Sequence, residues 1–292
     1  METHNHIQEW SWRVLLALAL LVGFSFQGSR GLYETSEGRY AEAAREMLET
    51  KNWVEPTLGY RPHWTKPPLT YWAIAGGIKL LGANEWGVRL YNSIAFVLTV
   101  LAVTFLGTTL WDRTTGLAAG LIYASSPFPV IGAYAATTDT LLTLWGTMAV
   151  LCCVKSLDDL PSLQQRVWGL AMWAFFGLGV LTKAHAVFPL LLFIFVWHLL
   201  QKRQGRLADP LGIALFLLIG FGWFVVVCLR YPDFWFSYLM QEVMARATTD
   251  TFRRHPEWYN TFITYLLPLS AGAGPWLYFG LKTVLRGRLY DP

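Results

Sequence analysis

The sequence predicts an all-α, polytopic membrane protein. Three observations carry that expectation. Apolar residues make up 54% and charged residues 14% of the 292 positions, whereas a soluble domain carries roughly 25% charged residues. The apolar residues gather into runs near the length a helix needs to cross a bilayer, about 20 residues. Lys and Arg crowd alternate short loops, the pattern that sets orientation in a membrane. Fifteen Trp and thirteen Tyr fit such a protein, since both rings favour the membrane–water interface. The net charge of +4 lies largely in loops, so it speaks about topology and not about nucleic acid.

The elements follow in chain order. After a polar start, 14–27 is the core of a first membrane helix; no small-residue cleavage site follows it, which argues against a removable leader. Residues 30–84 form a long outer loop. Within it, 37–50 has helical period, with Tyr40, Ala43, Ala44, Met47 and Leu48 on one face and Ser36 as the expected N-cap. Arg45 and Glu46 read as a solvated face with intrahelical pairs. Pro56, Pro62, Pro67 and Pro68 break the chain, and 69–81 is a second amphipathic helix expected to lie in the interface. Further spans are expected at 88–111, 116–134, 138–156, 167–182, 185–200, 211–229 and 261–281, for a total of about eight. Another interfacial helix, 234–247, lies in a last outer loop, 230–260. The whole chain, 1–292, reads as a single transmembrane domain.

Orientation comes from the short loops. Lys202, Arg203 and Arg206 share one; Lys282, Arg286 and Arg288 follow the last span; Arg113, Lys155 and Arg166 fall in loops of the same parity. The positive-inside rule puts all of these in the cytoplasm. Cys152, Cys153 and Cys228 lie in apolar runs without metal-ligand spacing and read as small apolar fillers.

The opposite parity collects the residues that need a chemical explanation. Glu34 and Glu37 follow the first span, Lys66 lies in the long loop, Asp139 opens the 138–156 span, Lys183 separates two spans, and Arg246 is in the last outer loop. Charges at the ends of apolar helices are costly unless paired or functional. Each has a plain reading: Glu37 as a first-turn acid favoured by the helix dipole, Asp139 as a cap, Lys66 and Lys183 as snorkelling cations. Their convergence on one face suggests a shared polar cleft. A carboxylate there suits a general base, and the cations suit a phosphate and a leaving oxyanion. Those groups fit transfer of a group from a phosphate-bearing lipid; they also fit lipid-phosphate transport, which ranks last because inverted repeats and midplane charges are not evident.

The motifs E-G-R-Y-A-E-A-A-R-E-M-L (37–48), N-W-V-x-P (52–56) and T-K-P-P-L-x-Y-W (65–72) resemble the polyprenyl-phosphate-sugar glycosyltransferases of the GT-C class, and most of all the aminoarabinose lipid A transferases and bacterial protein mannosyltransferases. The likeness continues through N-E-W-G-V-R-L, T-T-D-T-L-L-T-L and G-V-L-T-K. The resemblance implies a GT-C membrane core without the family's C-terminal soluble domain, in a bacterial inner membrane, with its active site facing the periplasm. It implies an enzyme that moves a sugar from a polyprenyl phosphate to a lipid, glycan or protein acceptor. It makes Glu37, Glu34 and Asp139 the catalytic acids and Lys66, Lys183, Arg246 and Arg39 the lipid-phosphate contacts. Two departures stand out: Ser36 precedes Glu37 where members have Asp-Glu, leaving the base open between Glu34 and Glu37, and Thr65 precedes K-P-P where members often have Glu. No spacing assigns a metal; a divalent metal ion is the one cofactor the resemblance leaves open. The expected partners are the donor lipid, membrane lipids, the acceptor and a possible second membrane chain, with no nucleic acid. The alternative is a non-catalytic or split GT-C-type subunit that binds a lipid phosphate or a partner chain.

Overall fold

A computed structural model describes residues 2–200, 209–232, 234–238 and 259–285. The architecture is helical. α1 (Glu2–Phe24) is followed by a π-helical turn at Glu34–Gly38, α2 (Arg39–Thr50), α3 (Leu69–Leu81), α4 (Glu85–Leu110), α5 (Arg113–Ser125), α6 (Pro127–Ala133), α7 (Asp139–Ser156), α8 (Ser162–Lys183), α9 (Phe188–Leu200) and α10 (Pro210–Arg230). Phe234–Tyr238, Asn260–Ala273 and Pro275–Leu285 complete the described helices.

Helix starts are written in the sequence. The side chains of Asn84, Asp112 and Asp209 accept from N–H groups of the first turns of α4, α5 and α10, which satisfies donors that have no intrahelical partner. Ser36 is not the cap expected for α2: it lies inside the π turn, and Gly38 stands at the N-cap position without a side-chain bond.

Three described stretches are long and apolar enough to cross a membrane: Glu85–Leu110, Ser162–Trp197 and Pro210–Arg230. The span expected at 116–134 is two helices, α5 and α6, bent by 61°. Pro127 is the reason, because it forces extended backbone on Ser126 (ψ 133°). The 36-residue stretch Ser162–Trp197 is also broken, as the sequence expects at 183–185. Lys183 leaves the helical region and Ala184 has φ +31°. Leu190 then packs beside Gly146 of α7, and Phe195 shares a groove wall with Trp173 of α8, so the chain turns back. The run expected at 261–281 is interrupted at Gly274, φ +54°. The rest of the 234–247 helix falls outside the described residues.

Close packing depends on missing side chains. A Cβ on Gly77 of α3 would sit 2.1 Å from the carbonyl oxygen of Gly87, and one on Gly116 of α5 would sit 2.0 Å from Thr108 Oγ1 of α4. α4 therefore runs against both neighbours at backbone distance, in the way small residues permit in membrane bundles. Large apolar residues on the outer surfaces of α9 and α10, among them Leu192, Phe193, Leu218 and Leu229, remain exposed, as a lipid-facing surface requires.

A small hairpin departs from the all-helical expectation. Thr57–Leu58 pairs antiparallel with Arg61–Pro62 around Gly59 (φ +62°) and Tyr60 (φ +56°), the two left-handed residues of a tight hairpin turn. Glu46 explains it and corrects its own reading as a solvated residue. It is fully buried on α2, accepts from Gly59 N at 2.7 Å and Tyr60 N at 3.1 Å, and also from the Thr57 hydroxyl. Arg45 does make the expected intrahelical pairs, at 2.8 Å to Glu42 and 2.7 Å to Glu49.

The helix ends sort into two faces. On one, Arg166 of α8 pairs with Asp209 at 2.7 Å, and Lys155 pairs with Asp158. On the other, Lys183 meets Asp139, Glu37 meets Arg89, and Trp223 Nε1 of α10 donates to Val54 O of the long loop at 2.7 Å.

Candidate functional site

The centre of this second face is the carboxylate of Glu37. Its side chain is buried, 1% exposed. Arg89 of α4, equally buried, donates Nε to Oε1 and Nη2 to Oε2, both at 3.0 Å. Arg30 donates Nη1 to Oε2 at 2.7 Å and Nη2 to Oε1 at 3.3 Å. The backbone N–H of Ala136 reaches Oε1 at 2.7 Å and that of Tyr33 reaches Oε2 at 3.0 Å. Burial alone would push the carboxyl up, but the hydrogen bonds of Arg89, Arg30, Ala136 and Tyr33 outweigh it and hold the group at about 2. The spare N–H groups of Arg89 go to the carbonyls of Gln27, Arg30 (3.1 Å) and Gly31 (2.9 Å). Every oxygen lone pair and guanidinium edge is used, which is the condition under which a buried ion pair is tolerated.

A short turn leads from this clamp to Asp139. Asp139 is the first residue of α7, 62% exposed, and its Oδ1 receives Lys183 Nζ from the end of α8 at 2.5 Å. Beside Lys183, the reversal into α9 opens an apolar groove of about 720 Å³ lined by Trp173, His185, Phe188, Leu191, Leu192 and Phe195.

The other expected residues are placed as follows. Arg39 opens α2 and is exposed. Lys66 is half-buried, next to the buried Pro67 and Pro68. Its neighbour Trp64 packs on Trp223, Tyr231 and Phe234 at ring distances of 6.2, 5.4 and 5.0 Å, which docks the Lys66 loop onto the end of α10. Glu34 is in the π turn. Arg246 lies outside the described residues. Glu37 and the Asp139–Lys183 pair are thus two separate clusters, linked through the backbone of the turn that carries Ala136 and Asp139. Arg30 and Arg89, which hold Glu37, are site residues that the sequence reading does not name. Arg89 had a visible signal, a cation one turn inside an apolar helix.

The donor set bears on the metal question. Among the described residues no three His, Cys, Asp or Glu side chains gather as a metal-holding group. Glu37, with both oxygens engaged by cations and peptide N–H groups, does not fit a divalent ion.

A family model described as dolichyl-phosphate-mannose-protein mannosyltransferase matches residues 65–229. An undecaprenyl phosphate-alpha-4-amino-4-deoxy-L-arabinose arabinosyl transferase from Pseudomonas fluorescens is 30% identical over 280 residues, covering 92% of this chain and 49% of the relative. The crystal structure of ArnT from Cupriavidus metallidurans bound to undecaprenyl phosphate is similar with a TM-score of 0.78 at 27% identity, covering 95% of this chain and 51% of that one. An Archaeoglobus fulgidus oligosaccharyltransferase, at a TM-score of 0.51 and 15% identity over 97% of this chain and 38% of that one, shares the fold. The chain spans about half the length of the curated relative it matches.

Proposed function

The chain belongs to the dolichyl-phosphate-mannose-protein mannosyltransferase family and has a GT-C-type helical membrane core, and from that premise we propose that it transfers a sugar from an undecaprenyl-type phosphate donor to a lipid acceptor. The observation that carries this reading is the overlap of nearly the whole chain with a transferase structure whose bound ligand is undecaprenyl phosphate. The bacterial origin of the relatives and the basic loops on the opposite face support an inner-membrane location with the Asp139 face toward the periplasm.

In this reading the roles divide by environment. Glu37, held ionised by two arginines, has no capacity to take a proton at working pH and serves as an anchor instead of a base. Asp139 is exposed and keeps one oxygen open, so it takes the proton from, or orients, the acceptor hydroxyl. As the acceptor oxygen bonds to the anomeric carbon, the bond from that carbon to the phosphate oxygen breaks and the lipid phosphate leaves with the electron pair. Lys183, paired with Asp139 at the same face, is the cation this reading assigns to that negative charge, with Lys66 and Arg39 as further contacts. The open groove beside Lys183 has the apolar lining that a prenyl tail needs.

A second reading, a GT-C-type subunit that binds lipid phosphate without catalysis, is favoured by one observation: the carboxylate of the 37–48 motif is fully committed to structure. The two separate in a transfer assay in membranes with a labelled undecaprenyl-phosphate-sugar pool. Label reaching an acceptor with wild type and not with Asp139→Asn supports the enzyme. Retained undecaprenyl phosphate binding with no transfer by wild type supports the subunit.

A further inference from the structure

The turn between α6 and α7 is held far more heavily than a helix connection requires. Six consecutive residues each have a backbone group bound by a side chain from elsewhere. Asn92 Nδ2 reaches Gly132 O at 3.5 Å and also Ala135 O. Gln27 Nε2 donates to Ala133 O at 3.1 Å. Arg30 Nη2 donates to Tyr134 O. Glu37 accepts from Ala136 N at 2.7 Å, and Tyr91 Oη donates to Thr137 O at 2.8 Å. Gln27, Glu37, Tyr91 and Asn92 are all buried. The carbonyls at the end of a helix in apolar surroundings need donors, but α6 has only seven residues, and the bonds run past its end, to Thr137. The next two residues are the buried Thr138 and the exposed Asp139.

We propose that Tyr91 and Asn92 of α4, together with the Arg89–Glu37 clamp, are positioning residues that fix the 132–137 turn so that Asp139 faces Lys183. The inference rests on the transferase reading for its purpose, though not for its geometry. Tyr91 and Asn92 touch no reacting atom. They act through backbone carbonyls, so their loss shifts the start of α7 while leaving Asp139 and Lys183 chemically intact. A displacement near 1 Å in a catalytic group costs up to about 100-fold in rate.

The test uses the full chain in nanodiscs with two readouts. The first is the rate at which a short bifunctional methanethiosulfonate reagent joins Asp139→Cys to Lys183→Cys, with Cys228 replaced by alanine and the buried Cys152 and Cys153 kept. The second, with Asp139 and Lys183 intact, is kcat and KM for transfer from an undecaprenyl-phosphate sugar. Tyr91→Phe and Asn92→Leu are expected to lower the cross-linking rate and kcat by about tenfold or more, with KM within about twofold. Thr99→Val, buried on the same helix two turns beyond Asn92 with its hydroxyl donated to Ala95 O, controls for general destabilisation and should leave both readouts unchanged. Cross-linking equal to the parent in Tyr91→Phe and Asn92→Leu overturns the proposal. Absent transfer in the parent, with cross-linking still slowed by the two variants, supports the positioning and overturns the transferase reading.

Discussion

Glu37 and Arg89, separated by 52 positions in the chain, meet as a bidentate pair with both N–O distances at 3.0 Å and both side chains 1% exposed. The pair ties the polar loop after α1 to an apolar helix, and through Ala136 it ties both to the turn that starts α7. It is a structural joint at the place where the motif suggests a base.

That joint should be unforgiving to single changes. Removing one partner of a buried, hydrogen-bonded ion pair costs about 3–5 kcal/mol, because the other charge is left buried and unmatched. Glu37→Gln and Arg89→Met are each expected to lower the thermal midpoint of the detergent-solubilised protein by many degrees. The double variant should fall short of the sum. Additive effects in the cycle would show that the two side chains are not coupled.

The same pair sets a pH response. The Glu37 carboxyl is at about 2 in the fold against an ordinary value of 4.5. A carboxylate lowered by folding stabilises fully above its unfolded value and loses that contribution as pH falls through its folded value. Wild type should therefore lose stability between about pH 4.5 and pH 2, by roughly 3 kcal/mol from this group. In Glu37→Gln that component should vanish, so the difference between the two curves, measured as melting midpoint against pH, should shrink on acidification.

Asp139 and Lys183 should behave in the opposite way. Their pair is 2.5 Å long but exposed, at 62% and 31%, and exposed pairs contribute at most about 1 kcal/mol. Asp139→Asn and Lys183→Ala should leave the melting midpoint nearly unchanged and reduce sugar transfer by about 100-fold or more. Full transfer in both variants would remove them from the chemistry.

Glu46 offers a check on the long loop. Its carboxylate holds three donors of the 57–60 hairpin, and stranding such groups costs about 1–3 kcal/mol. Glu46→Ala should make the hairpin a preferred cleavage site in limited proteolysis; a cleavage pattern equal to wild type would show that Glu46 does not hold it.

The sequence by itself determined the membrane class, the sorting of charges to two faces, and most helix positions: 69–81 is matched residue for residue. These are local properties. Hydrophobic period and caps act over one or two turns, and loop charge acts through the membrane, so each can be read without knowing what packs against what. Only the tertiary structure decided what the acids do. Glu37, Glu46 and Asp139 look alike as residues, and Glu37 and Glu46 even share one amphipathic segment. Glu37 is locked by Arg30 and Arg89, Glu46 by a hairpin turn, and Asp139 is open beside Lys183. The difference is burial and the donors that accompany it, and those arrive from segments up to about a hundred residues away. Spacing along the chain carries no record of such partners, because the free energy of a carboxylate depends on which dipoles and charges surround it in space.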